Sequence, residues 1–323
     1  MEPRGRARLG SRGPAAAALS CAATLTADGR IDAWQTEMWV PRATANLEWV
    51  PLLAPLRRRH APAGRSSWSG WCSQNGDPPY PASAVKCRAH WLGPAPLRPS
   101  NIRAPGKVAN CFAVESFVDE LAAKAKVDPL AFRLRDLADP RGVEVIRRVA
   151  QMIGWQARPS PAPSGAAARR RRPRHGLHPL QEQRDLRRRR DGSRGRARHA
   201  AGSPCRRVCC AHDCGLMINP DAVRAQVEGN ILQTLSRTLY EETTFDRSRV
   251  TSVDWASYRL LRFPAVPRLE IALIDRRDQP PLGAGEAASS PVPGGARQRG
   301  VRRDRRAPAQ RSFSAGKLKA LLA

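Results

Sequence analysis

The sequence predicts an α+β domain interrupted by basic segments of low complexity. Three observations carry that expectation. Apolar residues recur at helical spacing between Phe112 and Ile153, and again between Val223 and Leu235. Residues 22–41 and 269–274 read as strands set apart from those helices, which favours α+β and leaves an α/β sheet as the alternative. Arginine-rich runs at 161–207 and 295–311 have neither period and separate the ordered stretches.

In chain order, residues 22–41 form a hairpin. Thr24–Thr26 enters Ala27-Asp28-Gly29, and Ile31–Val40 leaves it, with Asp-Gly supplying the positive φ of a tight turn. Residues 57–75 are irregular and basic. Phe112–Lys126 is an amphipathic helix with Val114, Phe117, Val118, Leu121 and Ala125 on one face. Asp128-Pro129 supplies an N-cap and a proline at the first helical position, so a short helix follows over Leu130–Leu137. Asp139-Pro140 repeats the device and opens a helix running to Trp155, with Val145, Ile146, Val149 and Ile153 inward. Three helices at such short spacing predict a compact helical layer. Asn219-Pro220 starts a further helix carrying Val223, Val227, Ile231, Leu232 and Leu235. Leu269–Ile274 alternates poorly and suits a strand buried on both faces.

Fifty-six Lys and Arg against 28 Asp and Glu give 323 residues a formal charge of +28. Spread evenly, that excess would point to a nucleic-acid partner. It is not even. Residues 161–207 carry net +12, 297–311 carry +6, 57–65 carry +4 and 1–20 carry +3. The rest is almost neutral and reads as an ordinary enzyme. The sequence has no apolar run long enough to span a bilayer, and its Ala-rich start lacks the continuous apolar core of a signal peptide. Eight cysteines without framework spacing indicate thiols in a reducing, cytoplasmic compartment, with the periplasm as the alternative.

The basic runs have a second explanation. Frame-shifted GC-rich DNA yields Arg, Pro, Ala and Gly. Codons exist for Arg297–Arg306 whose one-base shift reads ANAVFDATG, a helix and turn. The same offset turns Arg174–Arg198 into a string whose tail alternates like a strand. The chain therefore divides into an out-of-frame or disordered start (1–20), a first folded part (21–160), an Arg-rich segment (161–207), a second folded part (208–294) and a basic tail (295–323). Losing a strand pair near 174–198 would leave facing elements uncovered. The chain as written is expected to fold poorly and to have little activity alone.

Several short motifs could carry chemistry. Gly283-Ala284-Gly285-Glu286 is a flexible turn that lets a carboxylate approach a ligand, or an ordinary solvated loop. Gln226, Glu228 and Gly229 follow the Asn219-Pro220 helix start, and the Gln226 amide offers both donors and acceptors. Arg103-Ala104-Pro105-Gly106 places an arginine before a turn, where it could pair with a phosphate or carboxylate. Cys209, Cys210, His212 and Cys214 fit no zinc spacing and read as a strand-to-turn segment with incidental thiols. No iron–sulfur cysteine spacing occurs, and Gly283–Gly285 lacks the context of a dinucleotide fingerprint.

Taken in order, these motifs resemble a known family. The set runs Arg103–Gly106, NCFAVESFVDELA from Asn110, Asp128-Pro129 with Phe132–Arg135, His212–Gly215, Ile218–Pro220, Gln226–Asn230 and Pro281–Glu286. It is similar to the second half of the molybdopterin-binding region in large subunits of the xanthine dehydrogenase/aldehyde oxidase type. The nearest group is the isoquinoline 1-oxidoreductase and nicotinate dehydrogenase large subunits. The resemblance implies a partial molybdopterin-binding domain, a C-terminal fragment of a longer subunit, and hydroxylation of an aldehyde or N-heteroaromatic substrate with oxygen from water. It implies Glu286 as general base and Gln226, Glu228, Gly229 and Gly285 at the cofactor. Arg103 and Gly106 would lie in a substrate or cofactor loop, Glu115 would be structural or outside the first contact layer, and no residue would ligate the metal directly. Ala287 stands where the family often has proline. The cofactor implied is molybdopterin with Mo, in its cytosine dinucleotide form. Iron–sulfur clusters would reside only in a small [2Fe-2S] partner subunit. A basic nucleic-acid-binding protein using 161–207 is the competing reading; its runs interrupt the motifs and lack interleaved aromatics for base stacking.

Overall fold

The computed structural model describes residues 17–41, 73–92, 102–157, 205–244 and 250–295, with the backbone alone of two strands at Leu177–Leu180 and Arg184–Arg189. Two sheets result. In the first, β1 (Ala18–Leu25) pairs antiparallel with β2 (Ile31–Pro41), and β2 pairs parallel with β3 (Ala84–Leu92). The β1–β2 turn holds Gly29 at φ 79°, as the Asp-Gly signal requires. β1 alternates exposed and half-buried positions, while β2 buries Ile31, Trp34, Met38 and Val40. Over this sheet lies α1 (Lys107–Lys124), which starts five residues before the expected Phe112. Val114, Val118, Leu121 and Ala122 of α1 pack with Ile31 and Trp34. Trp34 meets Phe117 edge-on at 5.3 Å, and its indole N–H donates to the buried Thr36 hydroxyl (2.7 Å).

Caps set the next two helices. The Asp128 carboxylate accepts from the Leu130 and Ala131 amides to open α2 (Pro129–Asp136), whose Phe132 joins the same core. The Asp139 carboxylate accepts from the Arg141 amide to open α3 (Pro140–Ile153), which ends at Gly154 in the left-handed region. The expected single helical layer is not what forms. α1 and α2 share the core of the first sheet, whereas α3 lies on the second sheet, with Val145 and Val149 against Ala211, Ala272 and Ile274. Spacing along the chain could not distinguish the two arrangements, because a short linker allows either.

The second sheet has the order β4 (Leu177–Leu180), β5 (Arg184–Arg189), β6 (Arg207–Asp213), β7 (Arg268–Ile274), antiparallel except for the parallel β6–β7 pair. A parallel pair needs a long crossover. α4 (Pro220–Leu239) supplies it, opened by the Asn219 side chain accepting from the Ala222 amide. Val208, Cys210, Leu269 and Ile271 face Val227, Ile231 and Leu235 of α4. Ala211, Ala272 and Ile274 face α3. Coverage on both faces explains why β6 and β7 show no apolar–polar alternation. Apart from the β4 and β5 backbones, the Arg-rich segment before Cys205, the tail beyond Gly295 and most of the irregular stretch at 57–75 lie outside the described residues.

Candidate active site

Three segments converge where the α1 start, α4 and the loop after β7 meet. The first is Arg103–Gly106. Ala104 and Gly106 both take positive φ (61° and 70°), and Ala104 is buried. A non-glycine residue in that region costs of order 1–3 kcal/mol and persists only where its surroundings hold it. Here the bend turns Arg103 onto α4. Its Nη2 donates to Gln226 Oε1 at 2.6 Å, and its Nε donates to the Gly285 carbonyl at 2.5 Å. Burial pushes the Arg103 pKa down, and the neighbouring Glu286 charge opposes that shift.

The second segment is the α4 face bearing Gln226, Gly229 and Asn230. A Cβ on Gly229 would stand 3.2 Å from Arg103 Nη1, so the space above this glycine belongs to the arginine. The Asn230 amide nitrogen donates to the carbonyls of Gln226 (2.7 Å) and Ala284 (3.1 Å), and its oxygen accepts from the Ser289 hydroxyl (2.6 Å). Glu228 sits about 200° round the helix from Gln226, and no hydrogen bond among the described residues ties it to Arg103 or Glu286.

The third segment is the loop from Asp275 to Glu286. It docks beside the exit of β6, where the Leu216 amide donates to the Gln279 carbonyl (3.0 Å) and the Leu282 amide to the Cys214 carbonyl (2.7 Å). Gly215, at φ 72°, makes that approach possible, since a Cβ there would lie 2.1 Å from the Pro280 oxygen. Buried Asp213 fastens the same turn, accepting from the Gly215 amide, from Arg141 on α3 and from Arg276. Burial raises the Asp213 pKa, but the hydrogen bonds from Arg141, Gly215 and Arg276 outweigh it and hold the carboxyl below the ordinary range. Glu286 then opens a one-turn helix at Ala287–Ser289. Its carboxylate is 38 % exposed and lies 3.9 Å from the Lys107 ammonium.

The structure thus brings Arg103, Gln226, Gly229, Gly285 and Glu286 together, with Gly106 next to Lys107 at the start of α1. Glu115 lies elsewhere, buried on α1 against Arg133 and Tyr80. Cys209, Cys210 and His212 are buried within β6. Sequence reasoning missed Lys107, Arg141 and Arg276, and gave Asn230 no role beyond its place in the Gln226–Asn230 motif. Asn230 left a signal: it interrupts the apolar stripe of α4 between Val227 and Ile231, and a polar residue on a buried stripe needs partners.

This cluster suits a polar, anionic ligand. A Cβ at Gly283 or Gly285 would meet nothing within 4 Å, Gln226 is exposed, and Arg103 and Lys107 supply positive charge. These are the features a pterin bearing a phosphate requires: amide groups for its ring edge, room beside the loop, and cations. Among the described residues no group of three His, Cys, Asp or Glu side chains could hold a metal ion.

Residues 203–267 match a family model described as a molybdopterin cofactor-binding domain. A nicotinate dehydrogenase subunit of Pseudomonas putida is 33% identical over 230 residues, covering 66% of this chain and 18% of that protein. The beta subunit of isoquinoline 1-oxidoreductase of Brevundimonas diminuta is 33% identical over 177 residues, covering 54% of this chain and 21% of that one. The chain therefore spans about a fifth of the length of these curated relatives. In fold it resembles quinoline 2-oxidoreductase from Pseudomonas putida 86 (TM-score 0.66, 13% identity, 92% of this chain and 60% of that chain). It also resembles the aldehyde oxidoreductase of Desulfovibrio gigas (TM-score 0.57, 12% identity, 88% of this chain and 46% of that chain). Residues 203–267, which hold β6 and α4, thus match a molybdopterin cofactor-binding domain, and the chain as a whole is similar in sequence and in fold to molybdopterin-binding oxidoreductases.

Proposed function

We propose that this chain is the cofactor-facing part of a large subunit that hydroxylates an aldehyde or an N-heteroaromatic carbon, with Glu286 as general base. One observation carries the reading: Arg103 hydrogen-bonds both to the loop that ends in Glu286 and to the Gln226 face of α4. Arg103, Gln226 and Gly285 would hold molybdopterin, with Glu228 and Gly229 on the same helix and Gly106 in the turn that faces it. The bound cofactor, in its cytosine dinucleotide form, would supply the two-electron oxidation. The protein's own part is proton handling and orientation. The Glu286 carboxylate takes the proton of the attacking water, and Lys107 holds that carboxylate toward the cleft. Electrons leave through a small [2Fe-2S] partner subunit. No helix among the described residues is long and apolar enough to cross a membrane.

The test is E286Q in the enzyme assembled with its partner. Turnover should fall by roughly 10²–10⁴-fold, the contribution of a positioned general base, while molybdenum content per chain stays unchanged. Full turnover in a fully loaded E286Q enzyme would overturn the assignment. We further infer that the Arg-rich segments at 161–207 and 295–311 are translated out of frame. Resequencing should reveal an insertion or deletion near codons 160 and 295, and an intact frame at both would refute this.

A further inference from the structure

We propose that Asn230 is the positioning residue that fixes the Glu286 loop onto α4. The inference deepens the proposed function, because it says how Glu286 is held, but its evidence is separate. Asn230 is fully buried, and all its polar capacity but one lone pair is spent on one task. Its NH₂ group reaches the Ala284 carbonyl, two residues before Glu286, while also holding the Gln226 carbonyl of its own helix. Its oxygen accepts from Ser289, three residues after Glu286. A single planar amide therefore bridges the loop on both sides of the carboxylate. Gly285, between the two anchor points, is pinned independently by Arg103.

An amide is the group this place needs. The half-buried backbone carbonyl at 284 takes a donor, and the buried serine hydroxyl at 289 needs an acceptor. A carboxylate would accept from Ser289 but would set negative charge against the carbonyls of Gln226 and Ala284. A leucine would satisfy neither. Helix propensity does not explain the choice, since asparagine is a modest helix former in mid-helix.

The experiment is amide hydrogen exchange on the full chain, comparing the native protein with N230D, S289A and E286Q. N230D keeps the shape and reverses the donor. Exchange at Gly285–Ser289 should rise roughly ten-fold or more, the factor expected when a buried hydrogen bond is lost, while β6 and α3 keep their protection. After correction for intrinsic exchange, the loop should regain protection as the pH falls and the introduced carboxyl becomes a donor; the native protein should show no such recovery. S289A removes one arm without adding charge and should loosen the same residues less, at every pH. E286Q should leave the loop's exchange unchanged.

Unaltered loop exchange in both N230D and S289A would overturn the proposal, and so would loosening in N230D that does not reverse in acid. If N230D opens the whole domain, S289A alone decides: local loosening supports the anchor, and native exchange refutes it. None of these readouts needs turnover. A catalytic failure of Glu286 as base would therefore show in the E286Q assay and leave the exchange result standing.

Discussion

Replacing Arg133 with methionine should be among the most destabilising changes in the described part of this molecule. Arg133 has no exposed surface, and its partner Glu115 is 2 % exposed. The guanidinium donates to Glu115 Oε2 (3.0 Å), to Asp119 Oδ1 (2.7 Å), and to the carbonyls of Glu115 and Pro129. Burial alone would lower its pKa, yet the Asp119 and Glu115 charges more than compensate and hold it well above the usual guanidinium range. R133M leaves the buried Glu115 carboxylate without its cation; the neutral Tyr80 hydroxyl, at 3.3 Å, cannot balance the charge. Breaking a buried pair from one side costs about 3–5 kcal/mol. For a domain of this size each kcal/mol lowers Tm by roughly 2–4 °C, so thermal unfolding should show a fall of about 6–20 °C. The double variant R133M/E115L removes both charges and should recover much of the loss, because the desolvation penalty of the orphaned carboxylate goes with it. A single variant within about 0.5 kcal/mol of the native protein, the range of ordinary surface changes, would refute the argument. So would a double variant no better than the single.

Other outcomes follow from the same geometry. Asp213 has a depressed pKa in the fold, so its contribution is present above the unfolded carboxylate value, near pH 3.9, and is lost as the pH drops through the lower folded value. The stability gap between the native protein and D213N should therefore hold from neutral pH to about pH 4 and close only below it; a gap already closing near pH 6 would contradict the arginine clamp. G215A should separate the loop from β6, since its Cβ would fall 2.1 Å from a backbone oxygen, and the expected signal is faster proteolysis within 275–286 with the α3 and β6 core intact. Burial pushes the Cys21 thiol up to about 11, whereas Cys87 is exposed. Peptide mapping after alkylation at pH 8 should find Cys87 modified first, and equal rates would show that Cys21 is not shielded.

Much of the fold was legible where local rules decide it. Asp128-Pro129, Asp139-Pro140 and Asn219-Pro220 each place a cap before a proline, and a helix begins at each proline. The first helix was less well marked. Gly106 caps it without a side chain and its first turn has no acid, so only the apolar period was visible, and that began late. β3 went unseen because Ala84–Leu92 mixes Lys, Cys and Arg at mostly exposed positions, and nothing in its period separates it from a loop. The second sheet hid its strands differently, by burying both faces. The β4–β5 backbone shows the extreme: Arg184–Arg189 has little strand propensity, yet topology places a strand beside β6 there.

The site illustrates why ordered motifs carried more than any one residue. Glu286, Gln226 and Arg103 lie far apart in sequence, and alone each fits a solvated surface. What unites them is the crossover. A parallel β6–β7 pair requires a long return, and α4 fills it while lying against the same sheet face. The exit of β6 and the exit of β7 then fall side by side, so the Cys214–Leu216 turn and the Gln279–Leu282 loop are bound to meet, and Gly215 lets them meet closely. The chain beyond Leu282 then passes over the middle of α4, where Asn230 and Arg103 receive it. A loop flexible enough by its glycines to wander is thus delivered by topology and stopped by hydrogen bonds. Among the described residues a Cβ at Gly283 or Gly285 would meet nothing within 4 Å, so the side of the loop next to the anchored Glu286 is left open.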